Sequence, residues 1–410
     1  MSCSRRVFLA ASGLALRAQE KLPPVRAITR GPGFHWFGYY DKLQFDPSSR
    51  YALGVQGSFE HRLPTAEDRL LIGMVDTEDK DRWIALDQTR SWSWHQTCMV
   101  QWLPGSKSEI IWNDRVDGRP SGRFVSHIMD VHTRKKRTLP APIYCVSPDA
   151  RWALATDFRR LYHVRPETGY AGVPDPNIDV LAPDNAGVWR MDLRTGKNQL
   201  LLSYADAVKI PAAGVDWTGA KHWFNHLLFS PDGQRFVFLH RWRGKSEGSG
   251  FSTRMFSANA DGTGLRVWEA NNRFSHFIWR DARTVVMWCW QASHQERFYT
   301  FDMVSGRIEP FFPEELHRNG HCSFLPGNRW FLTDTGPDKN RLQHPYLFDT
   351  QTRRSYPLGH LHSPPDYTGY WRCDTTPRFS PDSRKVVLDS PHGGNGRQMY
   401  LFDVSQITGA

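Results

Sequence analysis

The sequence predicts an all-β fold, a seven-bladed β-propeller, from three observations. A short turn motif recurs seven times, a hairpin motif follows each copy, and a segment before the first unit can complete the last one. A repeat of this size cannot bury its own apolar face, so successive copies must stack against each other. Seven copies that stack in a closed ring form a propeller.

The turn motif ends the inner strand of each unit, which is the strand closest to the axis of the ring. Each copy is an apolar stretch that ends in an aromatic or aliphatic residue, followed by a tight turn of the Ser-Pro-Asp-Gly type. In such turns Pro presets the backbone, and Asp or Ser bonds to nearby backbone groups. The last apolar residues of the copies are Phe45, Trp102, Val146, Phe229, Trp279, Phe324 and Phe379.

The hairpin motif leads into the outer strand of each unit. Its aspartates are Asp76, Asp130, Asp192, Asp261, Asp302, Asp349 and Asp403. We expect outer strands at residues 83–86, 136–139, 199–203, 266–270, 307–312 and 355–358. The seventh unit has too few residues after its hairpin, so we expect residues 25–29 to supply its outer strand. That closure leaves no open sheet edge.

The organisation of the chain is a short leader followed by one domain. Residues 1–18 contain the pair Arg5-Arg6 and an apolar run from Ala10 to Leu16, which is too short to span a membrane. This pattern is typical of a twin-arginine export signal and predicts a periplasmic or secreted protein. Residues 24–410 are expected to form the propeller, and no later stretch reaches the roughly 20 apolar residues of a membrane helix.

The charge of the chain favours acidic partners. The net charge is +10, and removal of residues 1–18, with three arginines and no acid, leaves about +7 (10 minus 3). A basic exported propeller favours anionic ligands. Lys/Arg-rich runs interleaved with aromatics are absent from the sequence, so nucleic acid is not an expected partner. The cysteines include no C-x-x-C pair and are expected to fill the core.

The inner strands carry the strongest chemical signal in the sequence. The positions three residues before the end of each inner strand are Lys42, Met99, Ile143, His226, His276, His321 and Thr376. Three consecutive units therefore place histidine at one register, and inner strands roughly 10 Å apart would let these imidazoles converge near the channel mouth. Imidazole suits Mn or Zn, and His392 is a further candidate ligand. Alternatively, each His is a satisfied polar residue of its strand.

Cationic and phenolic side chains near these strands are candidates for contacts with a substrate. A guanidinium can bind a carboxylate through two hydrogen bonds. Tyrosines can donate a proton or stack on a sugar ring. The arginine candidates are Arg115, Arg241, Arg254 and Arg372, and the tyrosine candidates are Tyr39, Tyr40 and Tyr370. Inter-blade ion pairs and aromatic packing are the alternative roles.

Two further features are less specific. His35, His95 and His222 are weaker candidates for a site. A long insert at residues 157–188 separates the third turn from its hairpin and is expected to cover one face of the ring as a lid. The sequence does not indicate which face.

The inner-strand histidines and the Phe-Ser-Pro-Asp-Gly turns resemble those of the seven-bladed polysaccharide lyases, in particular the oligogalacturonate lyases. TolB-like propellers share the turns without the histidines, and the ulvan lyases are similar in outline. The resemblance implies β-elimination on a uronate-containing glycan. It also implies a divalent metal near the axis, usually Mn, held by histidines and a glutamine. By strand position it implies His226 as the base, with His276 and His321 as metal ligands.

The reaction implied by this resemblance removes the proton at C5 of a uronate. Arg241, Arg254 or a metal would neutralise the carboxylate and stabilise the enolate-like intermediate. Neutral His226 would take the proton, and Tyr40 or a water would protonate the leaving oxygen. The remaining arginines and tyrosines named above, Arg115, Arg372, Tyr39 and Tyr370, would bind the acidic oligosaccharide or polysaccharide.

Two other functions remain open from the sequence. A non-catalytic, TolB-like propeller would bind a protein or glycan at its channel mouth. A glycoside hydrolase would use paired acids such as Asp41 and Asp374, because the first and last blades are neighbours in a closed ring. The sequence has no Gly-x-Ser-x-Gly motif, which disfavours a peptidase.

Overall fold

The computed structural model of the protein is a seven-bladed β-propeller, as the sequence predicts. Seven four-stranded antiparallel sheets form the blades. The described residues are 21–118, 122–212, 214–245, 248, 250–269 and 271–410. The predicted export signal at residues 1–18 and Ala270, the predicted last residue of the fourth outer strand, lie outside the described residues.

The first four blades follow one another along the chain after a separate first strand, β1 (Val25–Ala27). Blade 1 contains β2 (Phe34–Trp36), β3 (Tyr51–Gly57), β4 (Leu70–Asp76) and β5 (Arg82–Thr89). Blade 2 contains β6 (Gln101–Trp102), β7 (Glu109–Val116), β8 (Arg123–Asp130) and β9 (Lys136–Leu139). Blade 3 contains β10 (Cys145–Val146), β11 (Trp152–Ala155), β12 (Gly187–Asp192) and β13 (Asn198–Ser203). Blade 4 contains β14 (Lys221–Phe229), β15 (Arg235–Arg243), β16 (Ser252–Asn259) and β17 (Arg266–Trp268).

The last three blades complete the ring. Blade 5 contains β18 (Phe274–Trp279), β19 (Thr284–Gln291), β20 (Gln295–Asp302) and β21 (Ile308–Pro310). Blade 6 contains β22 (Ser323–Phe324), β23 (Trp330–Thr333), β25 (Tyr346–Asp349) and β26 (Arg354–Pro357), with a small side sheet of β24 (Leu342–Gln343) and β27 (Leu361–His362). Blade 7 contains β28 (Arg378–Phe379), β29 (Lys385–Ser390), β30 (Gln398–Asp403) and the separate strand β1.

The ring closes as the sequence predicts, because β1 supplies the outer strand of blade 7. Val25 lies opposite Phe402 and Ala27 lies opposite Tyr400 in antiparallel register. The closure continues beyond the strand, where Ile28 N donates to Met399 O at 2.9 Å. Strand β30 is therefore paired on both sides, and the two ends of the described chain hold each other in place.

The turns of blades 3, 4 and 7 share one hydrogen-bond pattern, which explains why the Ser-Pro-Asp motif recurs there. In blade 4 the hydroxyl of Ser230 donates to Asp232 Oδ1 at 2.5 Å and accepts from Arg235 N at 3.0 Å. The turn ends at Gly233 with φ 69°, a left-handed conformation that glycine adopts without steric cost. The same serine–aspartate bond joins Ser147 to Asp149 and Ser380 to Asp382 in blades 3 and 7.

Elements outside the regular strands were not all predicted. The insert contains helix α1 (Phe158–Val164), helix α2 (Tyr204–Val208) follows β13, and helix α3 (Ser405–Thr408) follows β30. A 3₁₀ helix spans Gly369–Trp371. No helix in the described ranges is long and apolar enough to cross a lipid bilayer.

Aromatic side chains fill the spaces between neighbouring blades. Phe298 of β20 meets Phe331 of β23 with ring centroids 5.3 Å apart, which joins blades 5 and 6. Trp36 of β2 stacks on Trp94, which lies between blades 1 and 2, at 5.1 Å. All four rings are buried. The high aromatic content of the sequence therefore serves the packing of sheet against sheet.

A substitution at one turn tests the shared hydrogen-bond pattern. Ser230→Ala removes a buried hydroxyl that both donates and accepts, so we expect the free energy of unfolding to fall by about 1–2 kcal/mol in urea denaturation. The control is Ser355→Ala, at an exposed serine of β26, which should change it by less than about 0.5 kcal/mol. Equal effects of the two variants would contradict this account of the motif.

Candidate functional site

A pair of tyrosines closes the central channel of the ring. After β2 the chain crosses the axis, and the Tyr40 hydroxyl lies 2.9 Å from Phe277 O and 3.0 Å from Phe277 N in β18. The same oxygen lies 3.2 Å from His226 Nε2 in β14. Blades 4 and 5 are on the far side of the ring from blade 1, so this contact spans the axis. Tyr39 lines a cavity on one side of this contact, which we call the upper cavity. Tyr40 lines a second cavity on the other side, which we call the lower cavity.

The upper cavity, of about 210 Å³, is the candidate functional site. Polar and charged side chains from blades 1, 2, 4, 5, 6 and 7 line it. Its titratable side chains are Tyr39, His95, Arg165, Arg241, His276, His321, Arg372, Asp374, Asp389 and Arg397. The insert contributes Arg165 and Thr168, which places the predicted lid on this face of the ring.

One histidine of this cavity, His321, is paired with a carboxylate buried behind it, Asp334. His321 Nδ1 lies 3.1 Å from both carboxylate oxygens of Asp334, and the backbone N of His321 donates to the same carboxylate at 2.7 Å. Burial alone would lower the pKa of His321, but the Asp334 carboxylate outweighs it and raises that pKa above its usual value. Asp334 is itself held by Thr376 N at 3.0 Å, and its pKa is lowered, because its bonds to His321 outweigh its burial. This geometry leaves His321 Nε2 available to a substrate.

A second histidine lies beside this pair in a different protonation state. The rings of His276 and His321 are 4.2 Å apart, and His276 Nδ1 is 3.0 Å from Asn319 Oδ1. Burial and the nearby His321 lower the pKa of His276 to about 3. His276 is therefore neutral near pH 7, while its neighbour can accept a proton.

The arginines of the cavity differ in how their charges are balanced. Arg372 pairs with Asp374 at 3.0 Å, and Arg165 pairs with Glu167 at 2.7 Å. Arg241, by contrast, is buried and its Nε has no hydrogen-bond partner among the described residues. Burial and the nearby cation of Arg165 lower the pKa of Arg241 to about 9. A buried guanidinium without a counter-anion favours the binding of an anionic ligand.

His226 does not line the cavity, although it has the same register as His276. Its backbone φ is 53°, in the left-handed region, at a bulge that interrupts the pairing of β14 with β15. The side chain stacks on Phe277 at 3.9 Å and lies 3.6 Å from Asp41. Burial and the cation of Lys42 lower its pKa well below the usual value. The pairing of β18 with β19 is interrupted in the same way at His276, but His276 lacks the left-handed φ of His226, so equal register did not mean equal orientation.

Two of the predicted arginines also lie elsewhere. Arg254 is fully buried beside Trp217, and its guanidinium donates to His240 Nδ1 at 3.1 Å and to two backbone carbonyls. Arg115 donates to Ala66 O at 2.9 Å. Neither lines the upper cavity. The predicted clamps that do line it are Arg241 and Arg372.

Three other residues considered from the sequence also lie outside the upper cavity. Tyr370 lies in the 3₁₀ helix and is 47% exposed outside the cavity lining. His392 contacts Ser390 Oγ at 2.9 Å and the ring of Tyr400, so it does not join His276 and His321. Asp41 lines the lower cavity, so the tyrosines separate it from Asp374 of the upper cavity. The acid pair considered for a glycoside hydrolase is therefore not formed.

Several site residues were missed from the sequence. Asp334, Arg165 and Arg397 belong to no motif, and their positions depend on loops and on neighbouring blades. Arg397 is buried, with its guanidinium 4.8 Å from the ring of Trp94. His95, a weaker candidate in the sequence, does line the cavity. The one usable signal was a polar residue directly after a buried strand, as Asp334 follows β23.

The donors present do not fit the predicted metal centre. Among the described residues, no group of three or more His, Cys, Asp or Glu side chains is placed to hold a metal ion. The guanidinium of Arg241, which has no acidic partner among the described residues, lines the same cavity as His276 and His321. A cation of this kind repels a divalent ion.

Comparison with solved structures places the chain among propellers. An oligogalacturonate lyase in complex with manganese superposes with TM-score 0.64 and 14% identity over 93% of each chain. The oligogalacturonate lyase of Vibrio parahaemolyticus gives TM-score 0.63 and 14% identity over 93% of each chain. TolB from Acinetobacter baumannii gives TM-score 0.40 and 13% identity over 86% of this chain and 80% of that one.

The similarities to the two oligogalacturonate lyase structures confirm the resemblance at the level of the fold. At such low identity they do not carry activity across. The sequence matches no protein-family model and no curated protein.

Removing the hydroxyl group of Tyr40 should lower the stability of the protein far more than removing that of Tyr39. Tyr40→Phe removes the hydroxyl that bonds His226 and the Phe277 backbone across the axis, so we expect the free energy of unfolding to fall by about 1–3 kcal/mol in urea denaturation. Tyr39→Phe is the matched control, because its phenol has no side-chain hydrogen bond within the described ranges, and we expect a change below about 0.5 kcal/mol. The reverse order of effects would refute the assignment of Tyr40 as the bridge.

Proposed function

We propose that this propeller is a lyase that cleaves a uronate-containing oligosaccharide or polysaccharide by β-elimination. The observation that carries the proposal is the meeting of three groups in one cavity. These are the His321–Asp334 pair, the guanidinium of Arg241, which has no acidic partner among the described residues, and the phenol of Tyr39. A base, an anion site and an acid are what this elimination requires.

Arg241 binds the uronate carboxylate in this proposal. Its guanidinium has no counter-anion among the described residues, so a bound carboxylate would restore its charge balance. Neutralising the carboxylate also makes the C5 proton more acidic, because the negative charge that develops on the carboxylate in the intermediate is stabilised. Arg254, the other predicted clamp, is committed to backbone carbonyls and His240.

His321 takes the role of base that the sequence suggested for His226. The carboxylate of Asp334 holds Nδ1 of His321, so the neutral imidazole carries its proton there and presents the lone pair of Nε2. His226 is turned toward Asp41 and Tyr40 and lies outside the cavity lining. His276, neutral beside it, adds no positive charge that would oppose protonation of His321.

Tyr39 takes the role of acid that the sequence suggested for Tyr40. Burial and the nearby Asp41 raise the pKa of Tyr39, so its phenol stays protonated and can donate. In the elimination His321 Nε2 removes the C5 proton, the electron pair of that bond forms the C4–C5 double bond, and the C4–O bond breaks. The leaving oxygen takes the proton of Tyr39, and solvent exchange returns both residues to their starting states.

The proposal routes no step through a metal. The manganese bound by the similar oligogalacturonate lyase belongs to that protein. Here the guanidinium of Arg241 supplies the positive charge beside the substrate carboxylate. The proposal retains export by a twin-arginine signal and an acidic glycan as partner.

The direct test is a panel of uronate-containing polysaccharides and oligosaccharides, with ultraviolet absorbance as the readout of a new unsaturated uronate. We expect absorbance to grow with the wild type, with and without a chelator. His321→Gln should lower kcat by roughly 10²–10⁴-fold, the usual contribution of a general base. The matched control is His362→Gln, at an exposed histidine of β27, which should leave kcat unchanged.

Other outcomes of this panel reject the proposal in distinct ways. Reducing ends that appear without the absorbance would indicate hydrolysis. Binding without either signal would indicate a non-catalytic propeller. Loss of the absorbance on chelation would show that a metal supplies the charge assigned to Arg241.

The pH profile provides a second test. Asp334 raises the pKa of His321, and the base must be neutral, so kcat/KM should fall as the pH drops through that raised pKa, above the usual 6.5. Asp334→Asn removes the carboxylate, so burial should then lower the pKa of His321. The fall of kcat/KM on the acid side of the pH profile, its acid limb, should therefore move to lower pH. The control is Asp338→Asn, which breaks the His344–Asp338 pair outside the cavity and should leave the limb in place. An unmoved limb in Asp334→Asn would exclude His321 as the base.

A further inference from the structure

We infer that the cavity accepts a single negative charge, at Arg241, and that the Arg372–Asp374 pair selects against a second one. The inference rests on the proposed function, which supplies the uronate. It narrows the substrate to a uronate whose neighbouring sugar in the cavity carries no acidic group.

The first observation is that two of the arginines are neutralised by acids behind the cavity wall. Arg165 pairs with Glu167 through Nε at 2.8 Å and Nη2 at 2.7 Å. Arg397 lies 3.4 Å from Glu60, and both side chains are nearly fully buried. A guanidinium that already holds a buried carboxylate has little charge left for a ligand.

The Arg372–Asp374 pair differs because both of its members line the cavity. Nε of Arg372 lies 3.1 and 3.0 Å from the two oxygens of Asp374. Burial would raise the pKa of Asp374, but Arg372 outweighs it and holds that pKa far below its usual range. The pair therefore carries no net charge. A second anionic group in this part of the cavity would lose its hydration without gaining a counter-charge.

Asp389, the other carboxylate of the lining, is also balanced. It accepts from Arg378 at 3.0 Å, and both side chains are buried. Within the described lining, Arg241 is thus the guanidinium without an acidic partner. The charges of the cavity therefore match a ligand with one carboxylate, which Arg241 would bind. The guanidinium of Arg372 is not free for a second carboxylate, because Asp374 occupies it.

The matching ligand class is a uronate next to an uncharged sugar. Consecutive uronates, or a sulfate on the neighbouring sugar, would place a second anion in the cavity. Asp374 acts here as a specificity-determining residue, because it occupies the guanidinium of Arg372, which would otherwise bind the second anion. Asp374→Asn removes the negative charge and frees Arg372 to bind an anion.

The test compares one uronate-containing oligosaccharide with and without an O-sulfate on the sugar next to the uronate. We expect the wild type to favour the unsulfated form in kcat/KM by about tenfold or more. Asp374→Asn should move this ratio toward one or reverse it. The Asp374→Asn substitution can also change the pKa of His321. Such a change affects kcat/KM for both substrates equally, so it cancels in their ratio. The control is Asp81→Asn, which breaks the surface pair with Arg26 and should leave the ratio unchanged.

Binding separates this inference from the proposed function. Calorimetric Kd values for the same two oligosaccharides, measured with His321→Gln, report selectivity without turnover, and we expect the same preference there. Absence of unsaturated product with retained binding selectivity would refute the lyase and leave the charge selection standing. Equal Kd values, binding of neither form, or a ratio unchanged in Asp374→Asn would overturn the inference. Thermal unfolding of Asp374→Asn confirms that the variant is folded.

Discussion

The bridge from Tyr40 across the central channel is the contact on which the candidate site depends. Its hydroxyl joins blade 1 to the backbone of Phe277 and to His226 on the opposite side of the ring. An open channel would let water pass from face to face. The bridge instead gives the upper cavity a floor, on which Tyr39 lies close to His321 with ring centroids 6.2 Å apart. The cavity is thus shielded from water on one side, where charges interact more strongly.

Above this floor, paired charges determine the chemistry. Asp334 makes His321 a stronger base, while the adjacent His276 stays neutral because burial disfavours its charged form. Two imidazoles only 4.2 Å apart therefore have different roles. The same principle separates the arginines, since an acidic partner occupies Arg372 and leaves Arg241 for a ligand. Two histidines therefore differ in protonation, and two arginines differ in their availability to a ligand, because their neighbouring residues differ.

The fold could be predicted almost completely from the sequence, because it is encoded locally and repeatedly. Each turn holds its own hydrogen bonds, as Ser230 and Asp232 show, so every copy is a separate signal. The bounds of individual strands were predicted less accurately. The predicted fifth outer strand, 307–312, is shorter in the structure, where β21 ends at Pro310 and Phe312 has φ 47°, which no extended strand allows.

The sequence by itself determined the number of blades, the closure by residues 25–29 and the register that carries three histidines. It could do so because periodicity and turn chemistry act over a few neighbouring residues. Only the tertiary structure decided which histidine faces the cavity, since His226 has a left-handed φ and its side chain packs on Phe277 and contacts Tyr40. It also decided the charge partners. Glu60 reaches Arg397 from a distant part of the chain, and Asp334 reaches His321 from the end of the neighbouring strand β23. Side-chain contacts of this kind leave no pattern in a single sequence.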